Sequence, residues 1–404
     1  MPCAVAKIQG AKRGRFSVDS KAGGGVRLEL LDNRRSAAGT EGRAHVVMRD
    51  RVQREAGRAP RTPKRLDDLM TAMRAIDIHA HIVPEKFPSY TGVGRNIPWP
   101  SMAPAHACHA HVMIEGKVYR TVHQSCWLPE ERIRDMDKGA IGMQCLSPMP
   151  ELLSYWLPVA DAQVLIRYLN EQIAEMVARH PTRFIGLGAV PLQDIEPALR
   201  ELGYLVNVLK FPGIEIASHI NGVSIGDPRF APFFAAAEKM GAAIFVHALR
   251  PAGQDRIVGG MAEQVICFPG DIGLAAASMI TGGIAERHPA LRIAFSHGGG
   301  VFSFLVPRMA RAWEVTPKMR ETIPQPPGVY AKRFYYDTIV FEPAALRHII
   351  GAFGASQIVV GSDYPFALGD PDPMGTISRA GLDAATTRAV VRENAERFLG
   401  RASQ

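Results

Sequence analysis

From residue 75 onward, short apolar runs rich in β-branched residues alternate with longer amphipathic segments, and this alternation most strongly constrains the fold. Such runs predict strands, and the segments between them have the apolar spacing of helices. Eight strand–helix units over roughly 300 residues predict a (β/α)8 TIM barrel, with parallel strands inside a ring of helices. The predicted strands cover residues 76–79, 143–146, 184–188, 213–216, 243–247, 292–297, 334–337 and 357–363. Helical patterns lie at residues 162–180, 230–240, 270–288 and 344–353.

The first 69 residues differ from this pattern, because they are rich in Arg, Gly, Ser and Ala and show little apolar periodicity. They predict a basic, disordered or weakly structured leader before a barrel domain at residues 70–404. Met70 and Met73 precede the first strand, so a true start further downstream is one alternative. An Arg-rich targeting segment is the other, although the eight acidic residues of the leader count against a transit peptide.

The net charge of +8 belongs to the leader. Residues 1–69 contain 16 of the 47 basic and 8 of the 39 acidic residues, so the rest of the chain carries 31 of each. Electrostatic attraction of a polyanion to the barrel is therefore not supported, and we expect no nucleic-acid partner.

Three further features bear on the cellular setting of the chain. No run of 18 or more uncharged apolar residues occurs, so we expect no membrane span. The N-terminus lacks the apolar core of a secretory signal. The five cysteines are scattered and include no C-x-x-C pair, which favours a reducing, cytoplasmic location over a disulfide framework.

Polar residues end the predicted strands where a TIM barrel carries its catalytic groups, at the carboxyl ends. His79 and His81 end strand 1, His247 ends strand 5, His297 ends strand 6 and Asp363 ends strand 8. A lone H-x-H is a weak signal, but these positions on correctly ordered strands predict a metal site. Imidazoles with one carboxylate suit zinc and leave a coordination position open for water or substrate.

Alternation along strand 1 predicts that both imidazoles point into the barrel, while Ile78 and Ala80 pack outward against helices. Asp77 has two interpretations, one as a hydrogen-bond partner of an imidazole or nearby backbone and the other as a structural cap. Asp337, at the end of strand 7, is expected to cap a helix or loop, with a ligand-adjacent role as the alternative. The three glycines after His297 fit a tight turn near a ligand or a plain helix entry.

Residues 87–127 are rich in Pro, Gly, His and aromatic residues and predict a small insertion after strand 1 that covers the barrel mouth. A hairpin is predicted at residues 112–122, turning at 115–117. The segment at residues 106–111, HACHAH, has a metal-binding composition. Because the barrel already supplies a ligand set, we favour a loop at the mouth over a second metal site.

Several segments of the chain resemble the amidohydrolase-related family of nonoxidative decarboxylases, particularly its 2-amino-3-carboxymuconate-6-semialdehyde decarboxylase members. The similarity runs from about residue 76 to the C-terminal helix. The resembling segments are residues 76–82, 116–120, 126–130, 154–156, 294–300 and 361–366. The resemblance implies a metal-dependent barrel enzyme that needs no organic cofactor.

The resemblance also implies a role for individual residues. His79, His81, His247 and Asp363 match zinc ligands, and His297 matches the histidine that activates water or transfers protons. The matched substrate-binding residues are Arg120, which binds a carboxylate, Phe366, which lines the pocket, and Arg308, which reaches the site of a neighbouring subunit in a homodimer.

The chain departs from the family pattern in the predicted pocket. Where the family has Pro-Trp after the strand-5 histidine, this chain has Ala248-Leu249, followed by Arg250. Where the family has a pocket tryptophan after strand 4, this chain has Val223. Two aromatic residues are thus replaced, and Arg250 is a candidate substrate-binding cation, so the substrate can differ from that of the relatives.

These inferences predict a metal-dependent decarboxylase of a small unsaturated or aromatic carboxylic acid. Zn2+ is the expected metal, with Mn2+ as an alternative, and His297 and Asp363 are expected to move the proton that replaces CO2. A hydrolase or hydratase acting on an intermediate of aromatic catabolism is the alternative, because one barrel scaffold supports both reactions. A non-enzymatic binding barrel is the third hypothesis.

Overall fold

The structure is a computed structural model that describes residues 74–94, 96–260 and 263–401. The predictions made for residues 1–69 lie outside the described residues. The barrel predicted for the rest of the chain is confirmed, since eight parallel strands form one sheet surrounded by helices.

Thirteen strands occur in the described residues, and eight of them form the barrel. In chain order the strands are β1 (Ala75–Ile82), β2 (Ser101–Pro104), β3 (His109–Ile114), β4 (Lys117–His123), β5 (Ile141–Pro148), β6 (Phe184–Gly188), β7 (Gly213–Ala217), β8 (His219–Ile220), β9 (Val223–Ser224), β10 (Ala243–His247), β11 (Ile293–Phe295), β12 (Tyr335–Asp337) and β13 (Ile358–Val359). The barrel order is β1-β5-β6-β7-β10-β11-β12-β13, so all eight predicted strands are present in sequence order.

The helices pack around the barrel. They are α1 (Pro129–Lys138), α2 (Val159–Arg179), α3 (Ile195–Asn207), α4 (Ala231–Met240), α5 (Phe268–Thr281), α6 (Ile284–Arg287), α7 (Phe302–Val315), α8 (Pro317–Thr322), α9 (Pro327–Ala331), α10 (Pro343–Phe353), α11 (Pro373–Arg379), α12 (Ala384–Arg388) and α13 (Asn394–Phe398). The predicted helix at residues 270–288 is two helices, α5 and α6, because Gly283 adopts a left-handed φ of 72° between them.

Two buried clusters divide the core. Alternate strand residues such as Ile244 and Val246 pack with the helices, while Ala243 and Phe245 belong to a smaller cluster inside the barrel. This alternation is the period of two expected of strands buried on both faces.

Strand β1 interrupts that alternation. Ile78 packs in the inner cluster with Ile76, so the prediction that Ile78 points outward is wrong. The pairing of β1 with β5 shifts register between Asp77 and Ala80, and such an irregularity changes which side of the sheet the following residues face. Ile78 and His79 can therefore both point inward, and the ring of His79 contacts Phe245.

The barrel closes where β1 meets the segment after β13. Bridges pair Asp77 with Val360 and Ala80 with Tyr364. The Asp77 carboxylate accepts hydrogen bonds from the Ser362 backbone N–H at 3.1 Å and the Ser362 hydroxyl at 2.6 Å. It also accepts from the Gln144 amide at 2.9 Å and the His79 N–H at 3.1 Å. Asp77 thus joins three neighbouring strand segments and does not contact an imidazole ring.

The insertion after β1 forms a three-stranded antiparallel sheet in the order β2-β3-β4. The predicted hairpin is confirmed, with Ile114 paired to Lys117 across Glu115 and Gly116. Both turn residues have positive φ, 54° and 70°, as a two-residue hairpin turn of type I′ requires. Strand β2 was not predicted.

One helical stretch, Glu263–Thr281, is long and apolar enough to span a membrane by length and composition alone. Within it, α5 buries Ile272, Met279 and Ile280 in the layer between strands and helices. A core helix passes the same test, so the stretch is weak evidence for a membrane span.

We expect Asp77→Ala to lower the free energy of unfolding by about 3 kcal/mol or more, because buried donors on two neighbouring segments lose their acceptor. Urea denaturation followed by circular dichroism measures this change. Asp194→Ala, which removes the side-chain cap of α3, is the matched control and should cost about 1 kcal/mol. Equal losses in the two variants would contradict a special role for Asp77 in barrel closure.

Candidate metal-dependent active site

The structure brings five predicted site residues together at the mouth of the barrel. His79 and His81 lie near the end of β1, His247 ends β10, and His297 and Asp363 follow β11 and β13. Because all barrel strands run parallel, their carboxyl ends meet at one face, where TIM-barrel enzymes carry their active sites.

The side chains converge on one point. The Nε2 atoms of His79 and His81 are 3.1 Å apart, and Asp363 Oδ1 lies 3.5 Å and 3.2 Å from them. The rings of His247 and His297 have centroids 5.0 Å apart, and each lies within 5.4 Å of the His79 ring centroid. Donor atoms of His79, His247, His297 and Asp363 lie within 4.8 Å of one another.

The orientation of three imidazoles fits a bound cation. Their Nδ1 atoms each face an acceptor, namely Asp337 Oδ2 at 2.7 Å from His79, the Pro148 carbonyl at 3.1 Å from His81 and the Ala248 carbonyl at 2.8 Å from His247. With hydrogen on Nδ1, each Nε2 presents a lone pair to the centre. The two Nε2 atoms lie 3.1 Å apart, so their lone pairs repel each other unless a proton or a metal cation lies between them.

Two buried atoms that could bind a metal also support a bound cation at this site. His247 Nε2 and Asp363 Oδ1 are buried and have no hydrogen-bond partner among the described residues. Buried polar atoms without partners are costly, and metal coordination satisfies them. Imidazoles that bind a metal usually donate their other N–H to a carboxylate or carbonyl, which is the arrangement seen here.

The electrostatics of the centre also favour a cation. Burial lowers the pKa of His81 to about 4 and that of His247 well below its usual value, so both are neutral bases. Burial alone would lower the pKa of His79, but the hydrogen bond to Asp337 and the negative charge of Asp363 raise it to about 10. Burial would raise the pKa of Asp363, yet His79 and His81 hold it well below its usual range. The carboxylates of Asp337 and Asp363 thus stabilise a positive charge in this buried pocket, whether a proton on His79 or a metal cation.

Asp337 combines the two roles that the sequence left as alternatives. Its Oδ2 lies beside His79 Nδ1 and accepts the His297 N–H at 3.0 Å, and its Oδ1 accepts the Gly298 N–H at 2.8 Å. It therefore orients one imidazole and caps the turn that carries another. That turn has left-handed φ from His297 to Gly300, and a Cβ on Gly300 would collide with the Pro269 carbonyl oxygen.

The side chains of His79, His81, His247, His297 and Asp363 form a cluster of potential metal donors, named here the donor cluster. A cavity of about 450 Å³ opens beside it. Its lining includes the donors His247, His297 and Asp363, together with apolar and charged side chains. Those side chains include Tyr119, Arg120, Met149, Glu151, Leu249, Arg250, Glu263, Phe268, Val301, Phe304, Phe341, Phe366 and Leu368. Such a mainly apolar cavity with a few polar groups is typical of a small-molecule site.

Two predicted substrate-binding residues lie together in this cavity. The Arg120 guanidinium is 4.5 Å from the centre of the Phe366 ring, and that ring stacks on His81 with centroids 5.5 Å apart. Arg120 comes from β4 of the insertion, so the insertion contributes directly to the wall of the cavity.

Not all of the residues that depart from the family pattern line the cavity. Leu249 and Arg250 line the cavity, whereas Ala248 and Val223 do not. Arg250 pairs with the buried carboxylate of Glu151, a residue that the sequence analysis missed. Nothing in the local sequence of Glu151 distinguishes it, because its partner lies 99 positions away.

Glu215 is a second residue that the sequence analysis missed. It lies in β7, is fully buried, and its Oε2 is 3.6 Å from His81 Nδ1. Burial raises the pKa of its carboxyl to about 8. The signal in the sequence is an acidic residue within the otherwise apolar strand predicted at residues 213–216.

Arg308 lies outside the cavity of its own chain. It is on α7, with its side chain exposed. Its predicted role in a neighbouring subunit therefore remains a prediction.

The histidine-rich segment of the insertion is separate from the donor cluster. The rings of His106 and His109 are 4.1 Å apart, and His111 Nδ1 lies 2.9 Å from the Thr121 hydroxyl. Within the described residues, the one group of three or more converging metal-ligating side chains is the cluster at the barrel mouth.

Comparisons with known proteins agree with this geometry. The amidohydrolase family model matches residues 76–401. A 2-amino-3-carboxymuconate-6-semialdehyde decarboxylase from Dictyostelium discoideum is 35% identical over 327 residues, which cover 80% of this chain and 91% of the relative.

Two solved structures are also similar. IDCase from Metarhizium anisopliae has a TM-score of 0.70 and covers 82% of this chain and 98% of its own, but at 19% identity this likeness shows the fold alone. A dihydroxybenzoic acid decarboxylase from Polaromonas sp. JS666, with bound manganese and 2-nitroresorcinol, is 26% identical with a TM-score of 0.61. The match covers 68% of this chain and 86% of that protein.

We expect His247→Ala to weaken metal binding at least about tenfold, because it removes a donor with a fixed, buried orientation. Elemental analysis after dialysis against zinc or manganese should find about one ion per chain in the unmodified protein and much less in the variant. His111→Ala, in the histidine-rich segment of the insertion, is the matched control and should keep its metal. Loss of metal from the control instead would place the site in the insertion.

Proposed function

The chain belongs to the amidohydrolase family, and from this premise we propose that it is a metal-dependent, nonoxidative decarboxylase of a small unsaturated or aromatic carboxylic acid. The observation that carries the proposal is the cluster of imidazoles and Asp363 beside an apolar cavity that contains Arg120. The relatives named above that carry the same fold and exceed 25% identity are decarboxylases of such acids by name.

We propose zinc as the metal and His79, His81, His247 and Asp363 as its ligands. Mainly imidazole donors with one carboxylate favour zinc, although a related decarboxylase binds manganese. A divalent cation at this point supplies a Lewis acid that polarises a substrate oxygen and offsets developing negative charge. The proposed reaction needs no organic cofactor.

Arg120 is the proposed carboxylate-binding residue. It lines the cavity, and no carboxylate in the part of the chain that the structure describes lies within ion-pair distance of it. A guanidinium without a protein partner offers its N–H fork to a substrate carboxylate. Phe366, under the guanidinium, adds an aromatic surface for a planar substrate.

His297 and Asp363 are the proposed proton-transfer residues. In the reaction the bond between the substrate carbon and its carboxylate breaks, the electron pair stays on that carbon, and CO2 leaves. One proton must then reach the same carbon. The His297 imidazole and the Asp363 carboxylate both line the cavity, so either can deliver or hold this proton at hydrogen-bond range.

We also propose a homodimer in which Arg308 reaches the cavity of the partner. Its support is the position of Arg308 on the exposed side of α7, one turn after Phe304. Phe304 lines the mouth of the cavity and is 72% exposed, so an apolar side chain there is available for a second copy of the chain to cover.

A cytoplasmic location completes the proposal. Its support is that the sequence contains no C-x-x-C pair and that three of its five cysteines, Cys126, Cys145 and Cys267, are free. The hydrolase or hydratase alternative uses the same donors, but none of the relatives named above is a hydrolase by name.

We expect the metal-loaded enzyme to release CO2 from an unsaturated or aromatic acid that carries a neighbouring hydroxyl, amino or carbonyl group. In D2O the product should contain one deuterium at the carbon that lost CO2. His297→Asn should lower the rate by about 100-fold or more, because it removes a proton-transfer group. His180→Asn, at the end of α2 and away from the cavity, is the control. Water addition or ester cleavage without CO2 from any acid would instead support the hydrolase alternative.

We expect two inactive variants to restore activity when mixed. In a heterodimer of Arg308→Ala and His297→Asn chains, one site combines an intact His297 with an intact Arg308 from the partner. About a quarter of the unmodified activity should return after subunit exchange, since half of the dimers are mixed and each has one complete site. No recovery, with exchange verified by mass-tagged chains, would contradict a site shared across the interface.

A further inference from the structure

The cavity contains two arginines in different electrostatic settings. Arg120 has no carboxylate partner among the described residues and stacks on Phe366. Arg250 is paired with Glu151, whose side chain is only 4% exposed. Both arginines line the same cavity together with the Glu263 carboxylate, so a ligand there meets one unpaired cation, one ion pair and one further carboxylate.

The side chain of Arg250 is held on two sides. Its Nε donates to Glu151 Oε1 at 3.0 Å, and its Nη2 donates to the same oxygen. Its guanidinium lies 3.4 Å from the centre of the Trp156 ring. The backbone is held as well, since the Arg250 carbonyl oxygen lies 3.2 Å from His219 Nε2. The pair is therefore a preorganised part of the cavity wall.

The opposite charges of Arg250 and Glu151 cancel, but both side chains keep unused hydrogen-bonding groups. Both contacts from Arg250 use Oε1 of Glu151, so the other carboxylate oxygen keeps its acceptor capacity. The guanidinium keeps its remaining N–H groups, and the Arg250 side chain is 43% exposed. The pair can thus donate to and accept from one neutral group, whereas a second anion would meet the charge of Glu151.

We propose that Glu151 and Arg250 form a specificity-determining pair that binds an uncharged polar substituent of the substrate, such as a hydroxyl or carbonyl, and disfavours a second carboxylate. This inference rests on the proposed function only in taking the ligand to be a small carboxylic acid held by Arg120. Glu151 is a positioning residue for Arg250 and also the group that excludes anions.

Equilibrium binding tests the inference without relying on turnover. The ligands are benzoate, 3- and 4-hydroxybenzoate, and the matching dicarboxylates isophthalate and terephthalate. Dissociation constants are measured by calorimetry on the metal-loaded full chain carrying His297→Asn, so that catalysis does not disturb the heats. We expect at least one hydroxybenzoate to bind about tenfold more tightly than its dicarboxylate counterpart.

Glu151→Gln should reduce or reverse this preference by about tenfold, because the dicarboxylate then meets an unopposed Arg250. Arg250→Met should abolish the preference for the hydroxyl group and should not improve dicarboxylate binding, since Glu151 keeps its carboxyl group. The second variant keeps the test decisive if the first does not fold.

Glu201→Gln is the matched control. Glu201 is also a mostly buried carboxylate paired with an arginine, Arg167, that stacks on an aromatic ring, Tyr204, but it lies in α3 outside the cavity. This control should leave the ligand preference unchanged while removing a similar ion pair.

Tighter binding of both dicarboxylates than of the hydroxybenzoates by the unmodified pair would overturn the inference. So would an unchanged preference in folded Glu151→Gln, or no binding of any of these acids. Failure of the proposed function is a separate result. A chain that releases no CO2 from any acid can still be tested for its ligand preference, because that preference is measured by binding and not by turnover.

Discussion

The hydrogen bonds of Asp77 join the first strand of the barrel to the segment after the last strand, and the site requires this junction. The site needs donors from the first and last strands of the barrel to lie side by side, and these strands meet only if the barrel closes. Asp77 holds β1 to Ser362, which lies between the bridged residues Val360 and Tyr364, and also to Gln144 of β5. Burial raises the pKa of Asp77 to about 6, and its four N–H or O–H donors offset part of this cost of burial. Closure of the barrel therefore also brings the metal-ligating side chains of its first and last strands side by side.

The donor cluster is prepared by groups that do not belong to it. Asp337 and two backbone carbonyls face the Nδ1 atoms of three imidazoles, and this leaves the Nε2 atoms directed to a common centre. Because these buried partners hold the Nδ1 atoms by hydrogen bonds, the Nε2 atoms already face the position that a cation would take. Fixed, buried dipoles and charges act more strongly than the same groups in water. The same rigidity suits a reaction in which negative charge develops on a substrate carbon.

The cavity shows how surroundings change the role of one residue type. Arg120 and Arg250 carry the same side chain, yet within the described part of the chain Arg250 has a buried carboxylate partner and Arg120 has none. An unpaired guanidinium attracts an anion, whereas a paired one offers hydrogen bonds with little net charge. Substitution of the family's aromatic positions therefore need not weaken the site. Of the two replaced aromatic positions, the one that lines the cavity holds the apolar Leu249, and the neighbouring Arg250 adds a polar group to the wall.

The eight strands and the residues that end them are predictable from the sequence, because strand periodicity is local and the strand–helix alternation is typical of a parallel barrel, whose strand ends meet at one face. The insertion hairpin is also predictable, because its turn chemistry is local. The shared inner side of Ile78 and His79 is not predictable in this way, since a register shift against β5 breaks the alternation. The tertiary structure likewise decided the pairing of Glu151 with Arg250 and the double role of Asp337. These features join residues distant in sequence, and contacts of that kind leave no periodic signal in the chain.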